Sequence, residues 1–338
     1  RGKAIGITVT AVYIGLSVGP LVGGVLTQYF GWRSVFVVST ALGVPAIYFA
    51  IWKLNSEWYG APGEKLDVLG SLLYAAAVTL VVYGFSSLPA SESFWEIVAG
   101  LVLILVFIKW ELKVARPVFN VELFTNRSFA FSSLAALINY SATFAVTFLL
   151  SLYLQYIKGF DPRTAGLILV SQPIMMAAFS PFAGRLSDRI EARKVASIGM
   201  AVTSIGLFGM TILGSDTPIG YIIGDLLLLG FGFALFSSPN MNAIMSSVEP
   251  KFYGLASGAV AAMRLLGQML SMGLATLVFS LHIGRVKITP EHYPAFLRSV
   301  NAAFTIFAVI CLFGIIASLA RGRTSNETAR GPENRDES

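Results

Sequence analysis

Two ionisable residues stand inside long apolar runs of this chain, Asp225 and Arg264. A charge in a hydrocarbon core costs roughly 2.5–3.5 kcal/mol on insertion scales, so such residues face protein or a wet cavity. At 1.5 Å per helical residue, Asp225 lies about 9 Å past Ile219 and Arg264 about 15 Å past Gly254, near the middle of its run. Asp225 fits a secondary proton or cation site, and equally a structural ion pair or a vestibule residue. Arg264 fits a structural or gating role inside a cavity, or direct contact with a bound molecule. The two are also candidates to pair. Neutral polar groups in or near apolar runs hydrogen-bond across helices or line a cavity, and Asn139, Tyr140, Gln172 and Gln268 are the candidates for a lining. Phe144, Met175, Met176, Phe233 and Phe236 would supply an adaptable apolar wall.

Other chemistries find little to work with. Cys311 is the one cysteine, and His282 and His292 sit outside the apolar runs, so a zinc or disulfide framework is excluded. No nucleotide loop and no Ser/His/Asp arrangement stands out. We expect no enzyme, no cofactor and no metal. Without a nucleotide site, the energy source for any work would be an ion gradient.

The elements that must position these residues are membrane helices. Of 338 residues 55% are apolar and only 12% charged, about half the charge of an ordinary soluble domain. A span needs about 20 apolar residues. Ten runs qualify: 4–29, 34–52, 67–88, 94–112, 128–157, 164–183, 195–214, 219–238, 254–281 and 300–320. Pro45 and Pro173 fall inside spans, which lipid-embedded helices tolerate. Long loops are expected at 53–66, 113–127 and 282–299, and a polar tail at 321–338.

Lys and Arg accumulate on the cytoplasmic side. With Arg1 placed there, seventeen of the 24 Lys and Arg residues are cytoplasmic, six are outside and Arg264 alone is within a span. Both termini are then cytoplasmic. The net charge of +6 marks topology and not nucleic acid. The chain opens on Arg1 and enters an apolar run within four positions, so we read it as the C-terminal part of a longer protein.

Shifting the chain by 252 residues aligns Gly2 with Gly254, Ala4 with Ala256, Gly6 with Gly258 and Gly15 with Gly267. The first and ninth spans look like copies that both start in the cytoplasm, a parallel repeat of the kind found in two-halved transporters. The copies are eight spans apart. Six-helix halves would put them six apart, so 67–88 and 94–112 are extra helices between the halves.

Gly15, Gly19 and Gly23 are spaced by four on one helix face, which lets a neighbouring helix approach. Gly24 follows, and Pro20 removes a backbone hydrogen bond and bends the helix. This is a natural place for two halves to rock, or simply for helices to pack. Gly184-Arg185-Leu186-Ser187-Asp188-Arg189, with Arg193 beyond it, is expected to fill a cytoplasmic loop. Gly184 would make a turn at a helix end, and Asp188 would cap the next helix or accept from an arginine, giving a charged gate or a solvated topogenic loop.

These two elements resemble motifs of the major facilitator superfamily: the antiporter motif of its fifth helix, and the second-half copy of its loop between helices two and three. The extra central helices resemble its fourteen-helix drug:proton antiporter group, and Tyr153-Leu154-Gln155, Gly159-Phe-Asp-Pro162, Ala165-Gly166 and Gly254-Leu-Ala-Ser-Gly258 agree. The resemblance implies an all-α polytopic membrane protein with two six-helix bundles and two extra helices, its first four helices lying upstream. Residues 1–52 would be the last two helices of the N-terminal bundle, 53–127 the central helices and linkers, 128–320 the C-terminal bundle and 321–338 a disordered cytoplasmic tail. It implies alternating access in the plasma membrane, with lipophilic or cationic drugs exported in exchange for protons. The acidic residue usual in the family's first helix would lie upstream, so the main proton site is not assigned. Export of an endogenous metabolite or organic solute, or a non-transporting sensor or truncated pseudo-transporter, are the other readings. The partners expected are a small-molecule substrate, protons and the lipid bilayer.

Overall fold

The computed structural model describes Gly15, Gly19 and residues 22–53, 67–87, 90–114, 121–249, 252–284 and 288–321. Pro20 lies outside the described residues. Among the described residues the chain is helical, with no strand. Residues 22–30 form α1. The following helices are α2 (Arg33–Lys53), α3 (Val68–Ser87), α4 (Ser91–Glu111), α5 (Arg127–Leu152), α6 (Pro162–Leu169), α7 (Ser171–Arg189), α8 (Ala192–Gly209), α9 (Ile219–Ser246), α10 (Tyr253–His282) and α11 (Tyr293–Ala320).

Nine helical runs among the described residues are long and apolar enough to cross a membrane, and they match the last nine of the expected spans. Besides the end of α7 at Arg189, six residues past the expected 183, two boundaries differ. Helix α9 continues to Ser246 through Pro239, and α11 begins at Tyr293 where a loop was expected. In both places polar residues lowered the hydropathy, yet the backbone is helical because the faces are buried: Asn240, Ala243 and Ile244 in α9, Phe296 and Ser299 in α11.

Pro173 has no N–H to donate to the Leu169 carbonyl, so the sixth span breaks at Val170 into α6 and α7. Asn126 caps α5 by accepting from the Ser128 and Phe129 amides, and Asp161 caps α6 by accepting from the Thr164 amide at 3.1 Å. That hydrogen bonding from Thr164 holds the Asp161 carboxyl below its usual range.

Helices α5, α7, α8, α9, α10 and α11 form one bundle, with a core that includes Leu149, Tyr153, Met200, Leu207, Phe304 and Phe307. Lipid gives helices no hydrophobic reason to associate, so small residues set the contacts. Helices α8 and α9 cross where a Cβ on Gly199 would stand 2.6 Å from the Phe236 nitrogen and one on Gly232 would stand 2.7 Å from the Thr203 nitrogen. Helix α10 lies on α5 at Gly267, where a Cβ would be 2.6 Å from the Leu137 carbonyl oxygen. Helices α3 and α4 form a hairpin that meets at Gly84 and Gly100. The hairpin docks through α3 onto α10, Phe85 against Gly273. Helix α2 buries no residue.

Candidate functional site

A cavity of about 1170 Å³ lies between α1 and the bundle. That is room for a drug-sized molecule, for which pockets are typically about 300–1000 Å³. Its walls come from one face each of several helices. Helix α10 contributes Ser257, Ala261, Arg264, Gln268 and Met272, and α5 contributes Ala136, Tyr140, Thr143, Phe144 and Thr147. Both sets recur every three or four residues, the spacing of one helical face. Gln155, Gln172, Met176, Phe233, Ser237, Asn240 and Asn242 complete the bundle's wall, and Gly15, Gly19, Gly23 and Gly24 face it from the first span.

The glycines of the first span differ in what surrounds them. A Cβ on Gly15, Gly19 or Gly23 would meet nothing within 4 Å, whereas one on Gly24 would stand 2.5 Å from the Pro162 carbonyl oxygen and 3.3 Å from the Arg163 Cα. One helical turn further on, the Tyr29 hydroxyl stands 3.3 Å from the Arg163 guanidinium. Among the described residues the first span therefore touches the start of α6 at Gly24 and Tyr29, while Gly15, Gly19 and Gly23 line the cavity without a contact.

Three of the four candidate lining residues, Tyr140, Gln172 and Gln268, line this cavity. Asn139 does not: it is fully buried in the bundle, and neither side-chain atom has a hydrogen-bond partner among the described residues. Arg264 lines the cavity and stands over the Tyr140 ring at 5.5 Å, within cation–π range. Phe233 meets the same ring edge-on, with centroids 5.7 Å apart.

Asp225 and Arg264 do not pair. The Asp225 carboxylate is directed at α8, beside Gly206 and Gly209, and is buried. Its Oδ2 has no hydrogen-bond partner among the described residues. Nearby the Tyr221 hydroxyl donates to the Gly209 carbonyl at 2.8 Å. Asp225 is absent from the cavity lining.

The expected gate loop is helix. Gly184 to Arg189 are the last turns of α7, and Gly184 makes no turn. Its missing side chain instead admits α9, since a Cβ there would stand 2.9 Å from the Ser238 hydroxyl. The Ser187 hydroxyl donates to the Gly184 carbonyl at 2.7 Å and accepts from the Asn242 amide at 3.0 Å, so the motif is fastened to the cavity-lining part of α9. Arg185 and Arg189 are exposed. The side chain of Asp188 lies outside the described residues, and the cap of α8 is Glu191. Arg193 pairs with Glu191 at 2.8 Å; hydrogen bonding from Arg193 holds that carboxyl below its usual range.

Sequence reasoning missed Arg321, which it assigned to the tail. Arg321 is fully buried at the end of α11. Its guanidinium donates to the Ser318 carbonyl at 2.8 Å, to Asn240 Oδ1 at 2.9 Å, to the Ser132 hydroxyl at 3.3 Å and to the Ser318 hydroxyl. Burial lowers its pKa to about 10, which leaves it charged at neutral pH. Arg321 thus ties α11 to α5 and α9 through Asn240, itself a cavity residue. Its sequence context, a basic residue after an apolar run, is that of any topogenic charge.

Residues 132–337 match the family model described as Major Facilitator Superfamily. The chain is 30% identical over 319 residues to the riboflavin transporter RibZ of Clostridioides difficile, covering 94% of this chain and 70% of that protein. It is 28% identical to the multidrug resistance protein Stp of Mycobacterium tuberculosis, over 82% of this chain and 52% of Stp. It is 29% identical to the methyl viologen resistance protein SmvA of Salmonella typhimurium, over 90% of this chain and 61% of SmvA. The chain therefore spans between about half and 70% of these relatives' lengths.

Proposed function

As this chain belongs to the major facilitator superfamily, we propose that it forms the substrate path of a secondary active transporter in the plasma membrane that exports lipophilic drugs in exchange for protons. The observation that carries this reading is the drug-sized cavity that the first span's glycines share with the bundle. The first span meets the bundle backbone-to-backbone at Gly24 and Pro162 and leaves Gly15, Gly19 and Gly23 facing open space. A backbone contact at Gly24 beside an unfilled Gly15–Gly19–Gly23 face leaves the first span room to close on the bundle, as a rocking joint requires. By the distribution of Lys and Arg, the Gly15 end is the cytoplasmic one, and the cavity's opening is placed there.

On this reading α1 and α2 belong to a first bundle, α3 and α4 are the added central hairpin, and α5 to α11 make the second bundle. Arg185, Asp188 and Arg189 at the end of α7 act with Ser187 and Asn242 at the cytoplasmic rim. Asp225 is the proposed secondary proton site, coupled to the cavity through α9, whose other face lines it. The relative named a riboflavin transporter favours a second reading, export of an endogenous metabolite by the same motion.

The test is transport by the full-length protein in vesicles carrying a neutral lipophilic dye and an imposed pH gradient. Proton-coupled drug export predicts concentrative dye movement that a protonophore abolishes. Movement that ignores the protonophore would refute the coupling, and no movement of dye or metabolites would leave the non-transporting reading.

A further inference from the structure

Among the described residues the cavity wall carries positive charge with no counter-charge beside it. Arg264 is the one charged side chain among the described lining residues. No carboxylate lies within 4 Å of it among the described residues, and Asp225 is directed away at α8. A second guanidinium stands behind the same wall. All four hydrogen bonds of Arg321 end on neutral oxygens, and one of these belongs to the cavity residue Asn240. In a low-dielectric wall two cations without counter-charges repel a cationic ligand and attract an anionic one.

The groups around Arg264 narrow the ligand further. Gly267 brings α10 onto α5, with the Tyr140 Cβ 2.9 Å from where its own Cβ would be. Arg264, one turn earlier, is thereby held over the Tyr140 ring. Tyr140 and Phe233 form an edge-on aromatic pair on the cavity surface, a shape suited to a flat ring. Gln268, one turn along α10 from Arg264, and Gln172 opposite offer amide donors and acceptors. A guanidinium presents a planar fork that a carboxylate matches with two hydrogen bonds.

Resting on the transport reading above, we infer that the substrates this wall selects are aromatic acids: Arg264 receives the carboxylate and the Tyr140–Phe233 pair receives the ring. The expectation of cationic drugs is the part of the family resemblance that this wall opposes.

The experiment measures binding to the full-length protein in detergent by equilibrium dialysis, using a planar aromatic carboxylate dye and its methyl ester, which share every other atom of the ring system. The wild type should bind the acid at least tenfold more tightly than the ester. Arg264→Gln should bring that ratio to about one, and Arg264→Lys should keep the acid preferred. Equal affinities in the wild type, or a ratio unchanged in Arg264→Gln, would overturn the inference. If Arg264→Gln binds neither compound, the lysine variant decides: an acid preference retained there supports the charge role, and its loss overturns it. The same dyes in vesicles separate the two claims. Acid-selective binding without gradient-driven transport would refute the exporter and leave the site standing, whereas transport that does not discriminate acid from ester would do the reverse.

Discussion

Gly24 meets Pro162 with no side chain between them: a Cβ on the glycine would stand 2.5 Å from the proline's carbonyl oxygen. Nine residues earlier, about two and a half turns back and so on the opposite side of the helix, Gly15 meets nothing within 4 Å among the described residues. The helix thus makes a backbone contact at Gly24 and turns its Gly15–Gly19–Gly23 face to the cavity.

Substitutions at these glycines should push the conformation in opposite directions. Gly24→Leu removes the contact that closes the cavity in this state, so it should favour the arrangement open on the Pro162 side. Gly19→Leu fits without a clash here, but obstructs any closure of the Gly15 end. It should hold the protein in the present state, retaining substrate affinity while transport falls at least tenfold. Transport and binding lost together in Gly19→Leu would indicate misfolding in place of arrest. Accessibility of the two ends to impermeant reagents checks both variants.

Asp225→Asn should uncouple efflux from the pH gradient. The carboxylate is buried against Gly206 and Gly209 without a counter-charge within 4 Å among the described residues, so an isosteric amide removes the proton site at no packing cost. Substrate exchange without a gradient should persist, because Asp225 does not touch the cavity. Gradient-driven efflux at the wild-type rate would end its role in coupling.

Arg321→Ala should be strongly destabilising although hydropathy places the residue in a tail. It leaves Asn240 Oδ1 and the Ser132 hydroxyl buried without the Arg321 donor, and each buried group so orphaned costs about 1–3 kcal/mol. The exposed Arg298 is the control. Thermal unfolding in detergent should show a lower Tm for Arg321→Ala and none for Arg298→Ala; equal Tm values would contradict the buried network.

The helix crossings make a fourth prediction. Gly199→Val forces α8 off α9, where Phe236 and Gly232 backbone atoms lie under 3 Å from its missing Cβ. Overpacking of this kind costs about 1–3 kcal/mol, and expression and Tm should both fall. Gly220→Val, at the start of α9 with open space around it, should be tolerated.

These residues also show what could be read beforehand. Apolar length alone located the nine described spans, because lipid leaves few alternatives to helix. The spacing of Ser257, Ala261, Arg264 and Gln268 marks one face of α10, and Tyr140, Gln172 and Gln268 reach the cavity as their polarity suggested. Glycine is ambiguous by nature: Gly15 and Gly24 share a motif, yet only three-dimensional packing separates a cavity wall from a backbone contact. The Gly184–Arg189 motif read as a loop because its charges lowered hydropathy, and it is helix because α9 supplies Ser238 and Asn242 to pack against it. Arg321 escaped notice because burial of a basic residue after a span depends on polar partners from two other helices, Ser132 of α5 and Asn240 of α9, besides Ser318 of its own.

The most direct test of a rocking transporter uses paired thiol reporters. Cys311, the one cysteine of this sequence, is fully buried, and with any cysteine outside it replaced by serine a single introduced thiol reads cleanly. Ser257→Cys reports on the open end of the cavity and Thr27→Cys on the closed end, both being lining positions. In the full-length protein at rest, an impermeant thiol reagent should label position 257 from the cytoplasmic side and leave position 27 unlabelled. Imposing a pH gradient with substrate should protect position 257 and expose position 27. Labelling of both positions that rises or falls together, or that ignores substrate and gradient, would contradict alternating access.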